Sequence, residues 1–317
     1  MSITTIDCNY VFPEIAASFL MKEGENSIFI ETNTSKSIPY LLKELENQSL
    51  KKENVKYIII THVHLDHAGG TSELLKHCPN ATVLAHPKAA PHIISPERLV
   101  KSSQQVYGEE KFLELYGQIE PVPSDRVKTI NDGDTLEFGN RKLTFLHTRG
   151  HANHHFVIFD SGTNSIFTGD SFGMGYKNLQ LGSKPFLFPS TTPTDYNYEE
   201  AIKSIDRIIH TNAERAYLTH FGEWNFMKEG SLQLKDMLSK IEEFRLKLSN
   251  SDIEDDDLQN HLSNYLKSIL SEEIHSRGLG EKELEFLRFD IDINAMGLAF
   301  SIKRERKKKQ SNPSSIQ

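Results

Sequence analysis

Thr61-His62-Val63-His64-Leu65-Asp66-His67-Ala68-Gly69-Gly70 places four side chains able to ligate a metal within six positions, directly after the apolar segment Val55-Lys56-Tyr57-Ile58-Ile59-Ile60. That segment is short, bounded by polar residues and rich in isoleucine, so it predicts a buried strand. Polar side chains crowded at the end of a buried strand are costly to desolvate unless they bind something. Imidazole and carboxylate donors suit zinc, iron or manganese, and the absence of thiols from the run removes a structural zinc site.

Three shorter motifs extend the pattern. His147-Thr148-Arg149-Gly150-His151, Thr168-Gly169-Asp170 and Leu218-Thr219-His220-Phe221-Gly222 each stand at the end of a predicted strand. One histidine-rich loop would be read as surface; recurrence at four strand ends makes a multi-part motif far more specific than any single piece.

The surrounding segments alternate. Residues 16–31 predict a hairpin around Glu23-Gly24-Glu25-Asn26, and residues 37–48 place Ile38, Leu41, Leu42 and Leu45 at helical spacing. A helix from Gly70, a strand at 82–85 and a helical insertion between Pro96 and Ile119 follow. Strands are expected at 127–130, 135–138, 142–147, 156–159 and 166–168, with turns at Asp132-Gly133, Gly139-Asn140 and Ser161-Gly162. Asp195 is the expected cap of a helix with the stripe Ala201, Ile202, Ile205, Ile208 and Ile209, before a strand at 216–219.

With these motifs in this order, the chain resembles the metallo-β-lactamase superfamily, and within it the glyoxalase II-like hydrolases, over residues 10–225. The resemblance implies an α/β fold, the αββα sandwich, with metals on its edge in loops after strands. It implies that His62, His64 and His151 hold one divalent metal, that Asp66, His67 and His220 hold a second, and that Asp170 bridges them. Zinc is the first expectation, with iron or manganese as alternatives. Such a centre activates a shared water and polarises an ester or thioester carbonyl, with Asp66 also relaying a proton as the catalytic carboxylate. His155 falls at a position that orients a ligand, His147 supports the site without binding metal, and His154 is read as a surface or packing histidine.

Departures narrow the branch. No cysteine lies near the motifs, a histidine (His64) stands where oxygen-reducing flavo-diiron relatives carry glutamate, and only 49 residues separate Asp170 from His220, too few for the inserted domain of RNA-processing relatives. Arg149 stands where proline is common, and Ala152-Asn153-His154 replaces a Pro- and Gly-containing stretch. The basic motif expected to grip a glutathione thioester is missing from the last hundred residues, which argues against glyoxalase II activity itself. Two other classes use the same donors: a redox or gas-sensing di-iron protein, and a metal-stabilised ligand-binding regulator.

Three regions are expected: a catalytic domain at 1–225, an appended C-terminal helical region at 226–302 that covers the pocket, and a basic, solvated tail at 303–317. The helical region carries the stripe Leu232, Leu234, Met237, Leu238, Ile241 and Phe244, then an acidic connector at 251–257. The loop 171–194, with Phe172, Tyr176, Lys177, Phe186, Phe188, Ser190 and Thr191, leaves Asp170 directly and is a candidate substrate loop.

Composition sets the partners. The formal charge of −8 includes six basic residues and one acid between Lys303 and Lys309, so the rest is more acidic still, which argues against nucleic acid. No basic-then-apolar leader opens the sequence and no apolar run approaches the ~18 residues of a membrane span. Cys8 and Cys78 form no motif and are read as reduced thiols. A cytoplasmic protein acting on a small molecule is therefore expected, with no membrane or nucleic-acid partner and a homodimer as an option.

Overall fold

Period-two alternation builds the sandwich. In the strand β2 (Ala17–Glu23), Ala17, Phe19 and Met21 turn to one face and Leu20 to the other, and in β3 (Asn26–Ile30), Ile28 and Ile30 oppose Phe29. The computed structural model describes residues 2–180, 185–191 and 195–311. These form two six-stranded sheets. In the first, β1 (Ser2–Asp7), β2 and β3 are antiparallel, and β4 (Val55–Ile59), β5 (Thr82–Ala85) and β6 (Val127–Thr129) continue parallel to β3. The second follows the spatial order β12 (Gly222–Trp224), β11 (Arg215–Leu218), β10 (Ser165–Gly169), β9 (Phe156–Asp160), β8 (Arg141–His147), β7 (Thr135–Phe138), with only β10 and β11 parallel.

Phe19, Ile28, Ile59, Phe145, Phe156, Ile158 and Phe167 fill the space between the sheets. On the outer face of the first sheet lie α1 (Ile38–Asn47), α2 (Leu65–Ala68), α3 (Thr71–His77) and α4 (Ala90–Ile94), sharing a core that includes Leu41, Ile58 and Leu74. The insertion is α5 (Glu97–Tyr107) and α6 (Glu109–Tyr116). The second sheet is covered by α7 (Tyr198–Ile209), α8 (Met227–Ser249), α9 (Leu258–Ser276), α10 (Glu281–Phe286) and α11 (Arg288–Ser311). One continuous core runs from Ile166 and Leu218 through Ile205 and Leu234 to Leu262 and Leu298, so the C-terminal helices complete the second layer of the sandwich. Among the described residues no helix is long and apolar enough to cross a membrane.

Two expectations are corrected. The cap of α7 is Asn197, whose side chain accepts the Glu200 N–H at 2.9 Å, while Asp195 instead accepts the Asn153 N–H. The basic run expected to be a solvated tail is the last part of α11, helical to Ser311; residues 312–317 lie outside the described residues. The reason is capping at a distance. Arg306 donates to the carbonyls of Leu248, Ser249, Ser251 and Ile253 at 2.7, 3.3, 2.9 and 2.7 Å, at the end of α8 and in the turn that follows it. The same guanidinium pairs with Asp255 at 2.8 Å, so the acidic connector and the basic run answer each other.

Candidate metal centre

All four motifs reach one edge because each follows the carboxyl end of a strand. β4 leads through His62 and His64 into α2, a single turn closed by His67 N–H and Ala68 N–H on the His64 carbonyl, which brings Asp66 and His67 alongside. β8 leads to His151, β10 to Asp170 and β11 to His220. Two glycines make the approach feasible. Gly169, at φ +48°, lies where a Cβ would sit 2.5 Å from His155 Nε2 and 2.6 Å from Thr61 Oγ1, and Gly150, at φ +111°, packs on the backbone of Ala201.

The seven predicted donors meet in two adjoining groups. Donor atoms of His62, His64, His151 and Asp170 lie within 4.8 Å of one another, and so do those of Asp66, His67 and His220. His151 Nε2 comes to 2.9 Å from His64 Nδ1 and 3.2 Å from His62 Nε2. Asp170 faces both groups, with Oδ1 3.2 Å from His67 Nε2 and Oδ2 3.5 Å from His151 Nε2. His220 Nε2 is 3.4 Å from Asp66 Oδ2, and its Nδ1 donates to the Ile15 carbonyl at 2.8 Å, which turns Nε2 toward the carboxylates.

Burial and neighbours set the protonation states. Burial, reinforced by the surrounding imidazoles, holds His62 well below the ordinary histidine value and brings His64 down to about 3; it also lowers His151. Burial would raise Asp66 and Asp170, but the adjacent His67 leads the opposing effects, leaving Asp66 at about 2 and Asp170 well below its ordinary value. His67 and His220 are raised despite burial, chiefly by Asp170 with Asp66 adding to it. Both ring nitrogens of His67 and Asp170 Oδ1 are buried without a hydrogen-bond partner. Three imidazoles held neutral, two ionised carboxylates that raise His67 and His220, and buried unsatisfied atoms converge at one edge; divalent metals would take the place of the protons on those two rings, so these residues fit two such ions.

Other predicted residues take supporting places. His155 Nε2 accepts the Asp170 N–H at 3.3 Å while its Nδ1 lies 2.8 Å from Thr148 Oγ1, so it orients the Asp170 backbone. His147 Nε2 lies 3.0 Å from the Ile130 carbonyl and its ring packs on His86, away from both donor groups. His154, read as a surface or packing residue, is half-buried with its ring 5.9 Å from that of His64 and 6.2 Å from that of His62.

Sequence reasoning missed two sets of neighbours. Glu31, 1% exposed, lies 3.4 Å from His67 Nδ1 and accepts from Thr61 Oγ1, and Asn33 Nδ2 donates to the Asp66 carbonyl at 2.8 Å. The available signal was the polar string Glu31-Thr32-Asn33-Thr34 immediately after a buried strand, the same sign that marks the ligand motifs. The second set comes from the far end of the chain. Tyr176, whose ring centroid is 6.0 Å from that of His220, donates to Asp290 Oδ1 at 3.0 Å and packs edge-on against Phe286 at 5.3 Å. Within loop 171–194, residues 181–184 and 192–194 lie outside the described residues; Phe172, Tyr176, Phe186 and Phe188 are core, and exposed Lys177 pairs with Glu14 at 2.8 Å.

Comparison with known proteins gives the family. The sequence profile described as the metallo-beta-lactamase superfamily matches residues 11–220, a span that holds all seven donors. The chain belongs to the metallo-beta-lactamase superfamily. A metallo-beta-lactamase fold-containing protein of Sulfurisphaera tokodaii, ST1585, is 29% identical over 237 residues, covering 73% of this chain and 82% of that protein. The crystal structure of ST1585 superposes with a TM-score of 0.64 at 24% identity, covering 94% of this chain and 98% of that one, which places the C-terminal helices within the shared architecture. A hydroxyacylglutathione hydrolase of Tolumonas auensis is 27% identical over 203 residues, 63% of this chain and 61% of that enzyme. A human acyl-coenzyme A thioesterase, MBLAC2, is 24% identical over 218 residues, 64% of this chain and 73% of that enzyme.

Proposed function

We propose that this superfamily member is a dinuclear metal-dependent hydrolase of a small ester or thioester. The observation that carries the reading is the pair of donor groups joined at Asp170 and meeting solvent at Asp66, whose side chain is 24% exposed against 0–7% for His67, His151, Asp170 and His220. His62, His64 and His151 would hold one ion, Asp66, His67 and His220 the other, and Asp170 both. Zinc is the proposed metal. Divalent ions there supply Lewis acidity for a carbonyl oxygen and lower the pKa of a water toward neutrality. Asp66, ionised and partly exposed, accepts the proton that the attacking water loses and returns it to the leaving group. Glu31 and Asn33 fix His67 and the Asp66 backbone, and His155 fixes that of Asp170, so the donors are oriented before substrate arrives.

Thioesters stand first among substrates because two relatives are a hydroxyacylglutathione hydrolase and an acyl-coenzyme A thioesterase, while the acidic body disfavours large polyanions. Tyr176, Phe286 and Asp290 beside His220 make the C-terminal helices part of the pocket wall in this reading. A cytoplasmic location, with Cys8 and Cys78 buried as free thiols, completes it.

The test is metal analysis of the purified protein with a panel of thioester, lactone, β-lactam and phosphodiester substrates. Two metals per chain and thioester turnover lost on chelation are expected. One metal or none overturns the dinuclear assignment. An oxygen-responsive iron spectrum without hydrolysis turns the reading to the redox alternative, and tight retention of one ligand without product release turns it to a binding protein.

A further inference from the structure

Next to the centre, a small cavity is lined by His151 and Asp170 together with Arg149, Ser171, Ser190 and an apolar wall that includes Leu234 of α8. Three observations at this cavity point to a ligand. Ser190 is 7% exposed, yet its hydroxyl has no hydrogen-bond partner. A buried hydroxyl left unpaired costs about 1–3 kcal/mol unless something arrives to pair with it. Arg149 is exposed, and its guanidinium makes no ion pair or hydrogen bond among the described residues, so it is free to turn to a ligand at the cavity mouth; its charge helps to lower the pKa of Glu200, but that carboxylate is already held by Lys203 at 2.8 Å. Arg149 also occupies a position set by the ligand motif itself, two residues before His151, with its backbone carbonyl fixed by Ser204 Oγ at 2.6 Å.

We propose that this cavity is a subsite for a carboxylate on the acyl part of the substrate, gripped by Arg149 and Ser190 while the scissile group reaches the metal centre. The inference rests on the hydrolase reading and narrows it to half-esters or half-thioesters of short dicarboxylic acids. A carboxylate matches the planar guanidinium fork and can accept from one hydroxyl at the same time. Phosphate would call for more donors than Arg149, Ser171 and Ser190, and Ser171 is already engaged with Thr148 Oγ1 at 3.0 Å and His155 Nδ1 at 3.1 Å. The apolar wall suits the methylenes of a short acyl chain. Asp170 also lines the cavity, and divalent ions held there would offset its charge toward an incoming anion. At the other group of donors, Asp290 beside Tyr176 brings a further carboxyl from α11, which disfavours binding of the same substrate in the reverse orientation.

The experiment compares succinyl and butyryl thioesters of N-acetylcysteamine, alike in chain length and different in the terminal carboxylate. For the metal-loaded enzyme, kcat/KM for the succinyl compound is expected to exceed that for the butyryl compound by at least ~10-fold, the worth of one charged hydrogen-bonded contact. In Arg149→Gln the ratio falls toward one, and in Ser190→Ala it falls severalfold. A ratio near one in the parent enzyme, or one unchanged in Arg149→Gln, overturns the subsite. Calorimetric titration with succinate separates this from a failure of the hydrolase reading. If neither thioester is turned over but succinate binds the parent at least ~10-fold more tightly than Arg149→Gln at equal metal content, the subsite stands and the reaction is reassigned. Equal succinate affinity in the two proteins overturns it.

Discussion

The metal edge and the C-terminal helices treat buried polar groups in opposite ways. At the edge, His67 and Asp170 keep donor atoms without hydrogen bonds, and the nitrogens of the His62, His64 and His151 rings press together at 2.9–3.2 Å. Among the helices, Arg245 is bound to Glu242 and Glu305 at 2.7 and 2.8 Å, and Arg306 is bound to four carbonyls and Asp255. Buried polar groups left unpaired are costly unless a ligand completes them; the helices pair the charged Arg245 and Arg306 and leave the Ser249 hydroxyl without a partner. The edge is therefore built for binding and the helices for holding.

Four substitutions sharpen this contrast, beginning with the largest effect. Asp170→Ala removes the one carboxylate that faces both donor groups. A loss of more than ~100-fold in kcat/KM is expected, beyond the range for residues that merely support a metal ligand, with metal content reduced and circular dichroism retained. Near-normal activity would remove Asp170 from the centre. Leu298→Ala does the reverse. It truncates a fully buried residue of the core shared by α11 and the second sheet, so a destabilisation of ~2–5 kcal/mol in urea unfolding is expected, with both metals retained by the protein that remains folded. Loss of metal at equal folded fraction would show that the helices hold the centre together.

Tyr176→Phe lies where the two regions touch. Removing the hydroxyl that donates to Asp290 is expected to raise KM by ~3–10-fold, the worth of one hydrogen bond, while kcat and metal content change little. A fall in metal content instead would assign Tyr176 to supporting His220. The smallest effect belongs to Glu305→Gln on α11. Burial alone would raise the Glu305 carboxyl, but hydrogen bonds from Arg245 and Lys309 bring it down to about 2. A depressed carboxylate stabilises the fold at pH values above its ordinary range and loses that contribution as pH falls toward its folded value. The group is partly exposed, so the difference between Glu305 and Gln is expected to be below about 1 kcal/mol near pH 7 and to vanish as pH approaches 2. A difference that persists at pH 2 would put its origin in packing.

The acidic connector and the basic run show where reading along the chain stops. Asp255 and Arg306 are each ordinary surface charges by local pattern, and the run Lys303–Lys309 reads as a solvated tail. Only the return of α11, antiparallel to α9 and alongside α8 in the same direction, places one against the other and against the carbonyls at the end of α8. Asp195 is not the cap of α7 for a related reason: the backbone turns into the helix two residues later, at Asn197.

Read alone, residues 61–70 and the three shorter motifs carry the superfamily, the αββα architecture and the seven candidate donors, because each motif joins a strand end to its donors within a few residues. That information is local, and a short span of chain holds it whole. Glu31 beside His67, Tyr176 donating to Asp290, and the cavity that gathers Arg149, Ser190 and Leu234 near His151 join residues tens to more than a hundred positions apart. No periodicity or motif encodes such meetings, since they depend on how sheets and helices stack around their cores. Tertiary packing alone decides them, and with them the walls against which a substrate is chosen.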